Sequence, residues 1–243
     1  GEFSVHLYPA EELIAADFSF SRYELRAQRI ETLDHMARVG KGIYITPIAG
    51  LRKFLPNKER WLENCLTTKT GDTIDVESWL ESLVAMSYTR QPMVTAPGDF
   101  ALRGGILDLY PVYMENPVRI ELFDTEVDSI RTFSADNQRS IDKLDSVSIL
   151  PASEFVWSSE DMLAMADKLE IELSSSLKRI SNEEVKERMT MNIMPDITLM
   201  KSGNAPENIM KYASFSENKP TSLATYFSRD GIVMFDEIGR VTE

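Results

Sequence analysis

Cysteine and histidine are scarce in this chain of 243 residues, and the shortage excludes several kinds of chemistry. Cys65 is the single cysteine, so no internal disulfide framework can form, and no Asn-x-Ser/Thr acceptor for glycosylation is present. Both absences are typical of a reducing compartment, and we expect a cytoplasmic location. His6 and His35 are too few for a Cys/His zinc site. We therefore predict no bound metal, no catalytic triad and no cofactor, and we interpret His35 as a histidine on a helix surface.

Basic charge is scarce as well, with 26 Lys and Arg against 39 Asp and Glu and a net charge of −13. Proteins that hold nucleic acid neutralise its phosphates with Lys and Arg, so this balance argues against DNA binding by bulk charge. The same balance disfavours a membrane-surface role. Uninterrupted apolar runs reach only about four residues, which is too short for a segment that spans a bilayer.

A phosphate-binding loop is also missing. Gly40-Lys41-Gly42 is faintly similar to the end of a P-loop, but the earlier glycine and the following Ser/Thr of that motif are replaced by His35 and Gly42. A predicted strand, Ile43–Thr46, follows where a P-loop opens into a helix. We therefore interpret Gly40 as the glycine that ends a helix predicted over residues 22–38.

One fragment near the end of the chain resembles a nucleotide site more closely. Gly231–Glu237 is predicted to be a short apolar strand that ends in the carboxylates Asp236 and Glu237. In P-loop NTPases such carboxylates hold magnesium and orient the attacking water. Without a phosphate loop, the alternative is a buried strand that ends in an acidic turn.

The rest of the chain mixes helices and strands. Periodicity predicts helices over 75–87, from residue 160 to about 180, and over 183–191, with a strand at 147–150. Turn signals punctuate the stretch 88–133, which is typical of an antiparallel meander with one buried face. Alternation places one set of side chains inward: Phe100, Leu102, Leu107, Leu109, Val118, Ile120 and Leu122. It places another set toward solvent: Ala101, Arg103, Asp108, Tyr110, Arg119 and Glu121.

Arginine is the only basic residue type between Leu83 and Ala135, where it occurs at positions 90, 103, 119 and 131. The planar guanidinium suits bidentate pairing with carboxylates at protein interfaces. Two interpretations stay open on this pattern alone. One is an interface, and the other is a solvated sheet face whose composition arose by chance.

Four segments carry a resemblance to a known family: PGDFALRGGILDLYP from Pro97, PVRIELFDTEVDSIR from Pro117, NQRS from Asn137 and ILPASEF from Ile149. They are similar to a signature shared by the excision-repair protein UvrB and the transcription-repair coupling factors (Mfd). Residues 1–40 lack the P-loop and the Tyr-rich hairpin of UvrB. The segment Leu7–Leu13 and the Gln28-Arg29 helix resemble coupling factors of the Gram-positive type, so the chain is expected to be a truncated fragment of their UvrB-like amino-terminal module.

The resemblance implies a fold and a partner. The expected fold is α/β: a discontinuous UvrB-like α/β domain without a P-loop, residues 1–48 and 136–243, carries an inserted α+β domain with an antiparallel sheet, residues 49–135. The inserted domain of this family docks onto the damage sensor UvrA. The family's docking residues fall on Arg90, Arg103, Arg119 and Glu121, and one further arginine of the pattern falls on Ala101.

The expected function is therefore a non-catalytic module that recruits UvrA to stalled RNA polymerase, while RNA polymerase and DNA are contacted by other parts of the whole protein. An alternative is an ATP-dependent helicase or translocase domain related to UvrB, with Asp236 and Glu237 as magnesium ligand and base. A third interpretation is that another part of the whole protein masks the same surface. We expect Arg103→Glu and Arg119→Glu to abolish capture of UvrA without unfolding the chain, and Glu121→Arg to weaken capture.

Overall fold

The computed structural model describes residues 4–10, 22–206, 208–228 and 230–236. The chain divides into two compact units, Gly1–Val156 with Ser222–Glu243, and Trp157–Thr221. Within the described residues, no helix is both long enough and apolar enough to cross a bilayer.

The first unit begins with a short parallel sheet. Strand β1 (Val5–Leu7) pairs in parallel with β2 (Ile43–Ile45), and helix α1 (Arg22–Arg38) connects them. The helix ends at Arg38, and Gly40 terminates it: its φ of 66° is left-handed, and its N–H donates to the His35 carbonyl oxygen. The helix prediction and the interpretation of Gly40 are thus confirmed.

Both histidines meet beside this sheet, which the sequence interpretation missed. The rings of His6 and His35 stack with centroids 3.8 Å apart, and His35 Nδ1 lies 2.8 Å from Tyr44 Oη. His35 is therefore half-buried rather than a plain surface residue, because β1 and β2 bring two aromatic rings against its helix. Burial and the neighbouring His6 lower the pKa of His35.

Short elements lead from the parallel sheet to the main one. They are α2 (Ile48–Leu51), α3 (Lys58–Glu63), β3 (Leu66–Lys69) and α4 (Val76–Ala85). The Asp75 carboxylate caps α4 by accepting from the N–H groups of Glu77 and Ser78. Cys65 follows α3 as a partly buried thiol, and burial raises its pKa to about 11. The thiol is therefore mainly protonated near neutral pH.

The main sheet has six strands in the order β4-β5-β6-β7-β8-β9. Their bounds are Thr89–Arg90, Asp99–Arg103, Ile106–Leu109, Val118–Phe123, Glu126–Phe133 and Ser140–Leu144. Neighbours from β5 to β9 are antiparallel, so the predicted meander is confirmed, while β4 joins β5 in parallel. A last strand, β10 (Ser146–Ile149), pairs antiparallel with β3.

One face of the main sheet is buried as alternation predicts. Phe100, Leu107, Leu109, Val118 and Ile120 are fully buried and belong to one apolar cluster that also includes side chains of α1 and α4. Strands β9 and β10 extend the paired region beyond residue 135, where the sequence places the end of an inserted domain. The division of the chain into 1–48 with 136–243 and 49–135 stays a prediction.

The prediction of a strand at Gly231–Glu237 is wrong for the residues of this segment that the structure describes. Residues 231–236 form no strand, and Ile232 and Met234 are 87% and 89% exposed. An apolar run indicates only a local preference, whereas a strand also needs a neighbour that pairs with its backbone groups. Glu237 lies outside the described residues.

The second unit is a helical hairpin followed by a 3₁₀ helix at Ile209–Phe215. Helix α5 (Ser159–Arg179) starts at a capping box in which Ser158 and Asp161 satisfy each other's backbone N–H groups. Helix α6 (Glu183–Lys201) runs ten residues beyond the predicted end at residue 191, because it continues through Pro195. A second 3₁₀ helix, Leu223–Tyr226, belongs to the first unit.

A candidate partner-binding face

Strand register aligns the polar side chains of the main sheet in two rows on the face opposite the core. One row crosses five strands, and the residues paired in it are Ala101, Asp108, Arg119, Arg131 and Lys143. The neighbouring row consists of Arg103, Ile106, Glu121 and Ser129. Residues paired across antiparallel strands project on the same side, so the two rows form one surface, named the outer face below.

A buried carboxylate lies at the centre of the outer face. Asp108 is fully buried and accepts two hydrogen bonds from Arg119, from Nε at 2.6 Å and from Nη2 at 2.8 Å. Arg103 Nη2 donates to the same carboxylate at 2.7 Å. The Arg119 guanidinium also lies 4.5 Å from the centre of the Phe133 ring. The bonds to Asp108 raise the pKa of Arg119, which stays charged at every physiological pH.

A second ion pair lies beside the first. Glu121 accepts a hydrogen bond from Ser129 Oγ at 2.7 Å, and its other carboxylate oxygen accepts from Arg131. The Ser129 hydroxyl and the Arg131 guanidinium lower the pKa of Glu121. Glu121 is therefore ionised near neutral pH and holds the guanidinium of Arg131 on the outer face.

The structure separates the predicted docking residues. Arg103 has 46% of its side chain exposed, as expected for a solvent-facing residue. Arg119 keeps only 13%, so the expectation that it faces solvent is wrong, because Asp108 and Phe133 cover its guanidinium. Arg90 is exposed on the edge strand β4, where register pairs it with buried Phe100 rather than with either polar row.

Two further outward expectations are corrected. Asp108 was expected toward solvent, yet two arginines cover its carboxylate completely. Ala101 lies on the outer face but is buried in a small apolar cluster with Val94 and Phe133, against which Tyr110 packs. The alternation of side chains along a strand predicts the correct face of the sheet. It does not predict which neighbouring side chains cover a residue on that face.

Sequence reasoning missed Ser129 and Phe123 of the outer face or its rim, and it named Arg131 among the interface arginines without finding its partner Glu121. Arg131 and Ser129 fix Glu121, and Phe123 is 80% exposed at the end of β7. The signal for Phe123 was present: it lies two positions after Glu121 and directly before the turn at Asp124, where φ is 59°. An aromatic side chain that exposed beside a charged face is a common anchor for a partner.

We expect Arg119→Glu to destabilise the first unit by about 2–3 kcal/mol, because a second carboxylate would then face the buried Asp108. This loss in stability is at the low end of the range for a broken buried ion pair, because Arg103 still donates a hydrogen bond to Asp108. Chemical denaturation of the variant measures this, with the exposed Arg139→Glu as the matched control. Unchanged stability would mean that Asp108 does not depend on Arg119 for its charge balance.

A metal site and a nucleotide site each require a particular set of residues. No group of three or more metal-type ligands occurs among the described residues. A cleft of about 630 Å³ lies between β2 and residues 227–228 and 231–236, and its lining is mainly apolar. Asp236, one of the two carboxylates predicted to act as a magnesium pair, is among the residues that line this cleft.

Comparison with known families identifies the part of the chain that carries the outer face. Residues 66–155 match the model of the UvrB interaction domain family. The match begins at β3 and includes every strand of the main sheet. The chain therefore contains a UvrB interaction domain.

The whole chain has longer relatives. It is 39% identical over 240 residues to the transcription-repair-coupling factor of Bacillus subtilis (strain 168), and 35% identical over 242 residues to that of Staphylococcus haemolyticus (strain JCSC1435). These alignments cover 99% and 98% of the chain but 20% of each relative. The chain is thus homologous to one part of the transcription-repair-coupling factors and spans about a fifth of their length.

Proposed function

We propose that this chain is a non-catalytic module that binds UvrA through the outer face of its main sheet. In the whole protein it would recruit UvrA to stalled RNA polymerase, which links transcription to nucleotide excision repair in the cytoplasm. The observation that carries the proposal is the Arg103 side chain, nearly half exposed on the outer face and within the residues that match the UvrB interaction domain family.

The chemistry of the outer face suggests what UvrA would present to it. Asp108 pairs with Arg103 and Arg119, and Glu121 pairs with Arg131. Arg103 is the most exposed of these three arginines, so its guanidinium is the best placed for an acidic group of the partner. Phe123 adds an apolar contact at the rim. Because Arg131 and Ser129 engage both oxygens of Glu121, we assign Glu121 the role of holding Arg131 rather than of meeting a basic group on UvrA.

The predicted docking set is therefore revised but not discarded. Arg103 is proposed as the central contact, while Arg119 supports it from beneath through Asp108. Arg90 would contribute only if UvrA also reaches the β4 edge of the sheet. We further propose that the inserted domain ends after β10 rather than at residue 135, because β9 and β10 complete its sheets.

Binding of purified UvrA to the whole chain, measured by calorimetry, tests the proposal. We expect a one-to-one complex that weakens as salt rises, because an exposed ion pair is screened. Absence of binding at protein concentrations of about 10⁻⁵ M would reject it, since specific recruitment needs at least micromolar affinity. If the whole protein binds UvrA more weakly than this chain does, another part of it masks the outer face.

The alternative of an ATP-dependent helicase or translocase domain makes an opposite prediction. Asp236 is exposed at the rim of the cleft, and the chain has no phosphate-binding loop to place a nucleotide beside it. We expect ATP hydrolysis by the chain to equal the background rate with and without DNA. Hydrolysis above background that disappears in Asp236→Ala would favour the alternative.

A further inference from the structure

Asp108 occupies an unusual position for a carboxylate. It lies in the middle of the short strand β6, on the polar side of the sheet, and yet it is fully buried. A buried charge is costly unless it is paired and hydrogen-bonded, and here three N–H groups of two arginines meet that requirement. The carboxylate thus depends on the two side chains that cover it.

The two arginines in turn depend on Asp108 for their positions. Arg119 is fixed by two bonds to Asp108 and by the Phe133 ring beneath it. Arg103 lies on β5, and its guanidinium is tied to the sheet through Nη2, which donates to Asp108 Oδ2. The Arg103 side chain is nearly half exposed, and its guanidinium has further N–H donors besides the Nη2 that bonds to Asp108. Asp108 therefore determines where the exposed guanidinium of the outer face is held.

We propose that Asp108 is a positioning residue for partner binding: it holds Arg103 in the orientation that meets an acidic group of UvrA. The proposal rests on the proposed function and adds a residue that touches no partner itself. A free arginine loses rotamer freedom when it binds, and a guanidinium already held in place has less freedom to lose. Asp108 accordingly strengthens binding by ordering the free chain.

The test is Asp108→Asn, which keeps the shape of the side chain and removes its charge. Asparagine offers one acceptor oxygen where aspartate offers two, and its NH₂ group repels a donor, so Arg103 must compete with Arg119 for a single uncharged acceptor and is held more weakly. We expect Kd for UvrA to rise about tenfold, which corresponds to one newly mobile long side chain. Asp128→Asn, at an exposed position in β8 of the same sheet, is the control and should leave Kd unchanged.

A double-mutant cycle separates positioning from a structural role. In an Arg103→Ala background, Asp108→Asn should change Kd by less than about twofold, because its effect acts through Arg103. An equal loss in both backgrounds would show that Asp108 affects binding independently of Arg103 and would overturn the inference. Wild-type affinity in Asp108→Asn would overturn it as well.

A measurement on the unmodified chain keeps the inference testable if Asp108→Asn does not fold. NMR relaxation of arginine side chains should find the Arg103 guanidinium rigid in the free protein, with exposed Arg52 as the mobile control. Equal mobility of the two arginines would overturn the inference. If Arg103→Ala binds UvrA normally, the outer face is not the docking site, and the proposed function fails with the inference. If Arg103→Ala is weakened and Asp108→Asn is not, only the inference fails.

Discussion

Replacing Arg103 with glutamate is expected to abolish capture of UvrA while the melting temperature of the chain stays near that of the wild type. Nearly half of the Arg103 side chain is exposed, and its loss leaves Asp108 with both bonds from Arg119. Substitutions at exposed positions usually change stability by only about 0.5 kcal/mol. The fold should therefore tolerate the change.

Binding should respond far more strongly. Removing one member of a charge pair that is buried in an interface costs roughly 2–5 kcal/mol, which is at least about a 30-fold increase in Kd, and reversal adds repulsion. Calorimetry with UvrA measures the loss. Arg188→Glu, on an exposed part of α6, carries the same change in net charge and should bind normally. Equal affinity of the two variants would place the docking surface elsewhere.

The second large effect is expected at Glu154, in a buried ion cluster of the first unit. Glu154 accepts hydrogen bonds from Arg29 and, at 2.9 Å, from Lys53 Nζ. Burial raises the pKa of Glu154, but the two cations outweigh it, so the pKa lies below its usual range. Glu154→Gln cannot neutralise the charge of the buried Arg29 and should cost about 3 kcal/mol in the free energy of unfolding.

Acid should reproduce this loss in the wild-type chain. A carboxylate whose pKa is lowered by folding stabilises the folded state above its unfolded pKa and loses that contribution as pH falls through its folded pKa. The difference in stability between wild type and Glu154→Gln should therefore be constant near neutral pH and shrink at acidic pH. Denaturation curves across this range measure it, with the exposed Glu184→Gln as the control. A difference that persists in acid would show that the charge of Glu154 is not what stabilises the cluster.

Sequence patterns predict the structural features that depend only on residues close together in the chain. Helices α1 and α4 and the alternation in β5 to β7 all follow from local spacing, and the structure confirms them. Alternation also placed Arg103 and Arg119 on one face. These features need no knowledge of how distant segments meet.

Features that depend on how distant strands pair, and in which register, could not be predicted from the sequence. Asp108 is buried because β7 aligns Arg119 beside it, eleven positions along the chain, and a shift of one residue would separate them. The segment after Gly231 has the composition of a strand but no paired neighbour within the described residues. The histidine stack likewise depends on β1 reaching the face of α1.

The ion-paired part of the outer face has a consequence for the speed of association. Arg103, Arg119 and Arg131 meet only Asp108 and Glu121 there, which leaves a surplus of one positive charge on a chain whose net charge is −13. Long-range attraction toward an acidic surface is therefore absent. Encounter with the partner should proceed at the rate of unsteered proteins, about 10⁵–10⁶ M⁻¹s⁻¹, and selectivity should appear in how slowly the right complex dissociates.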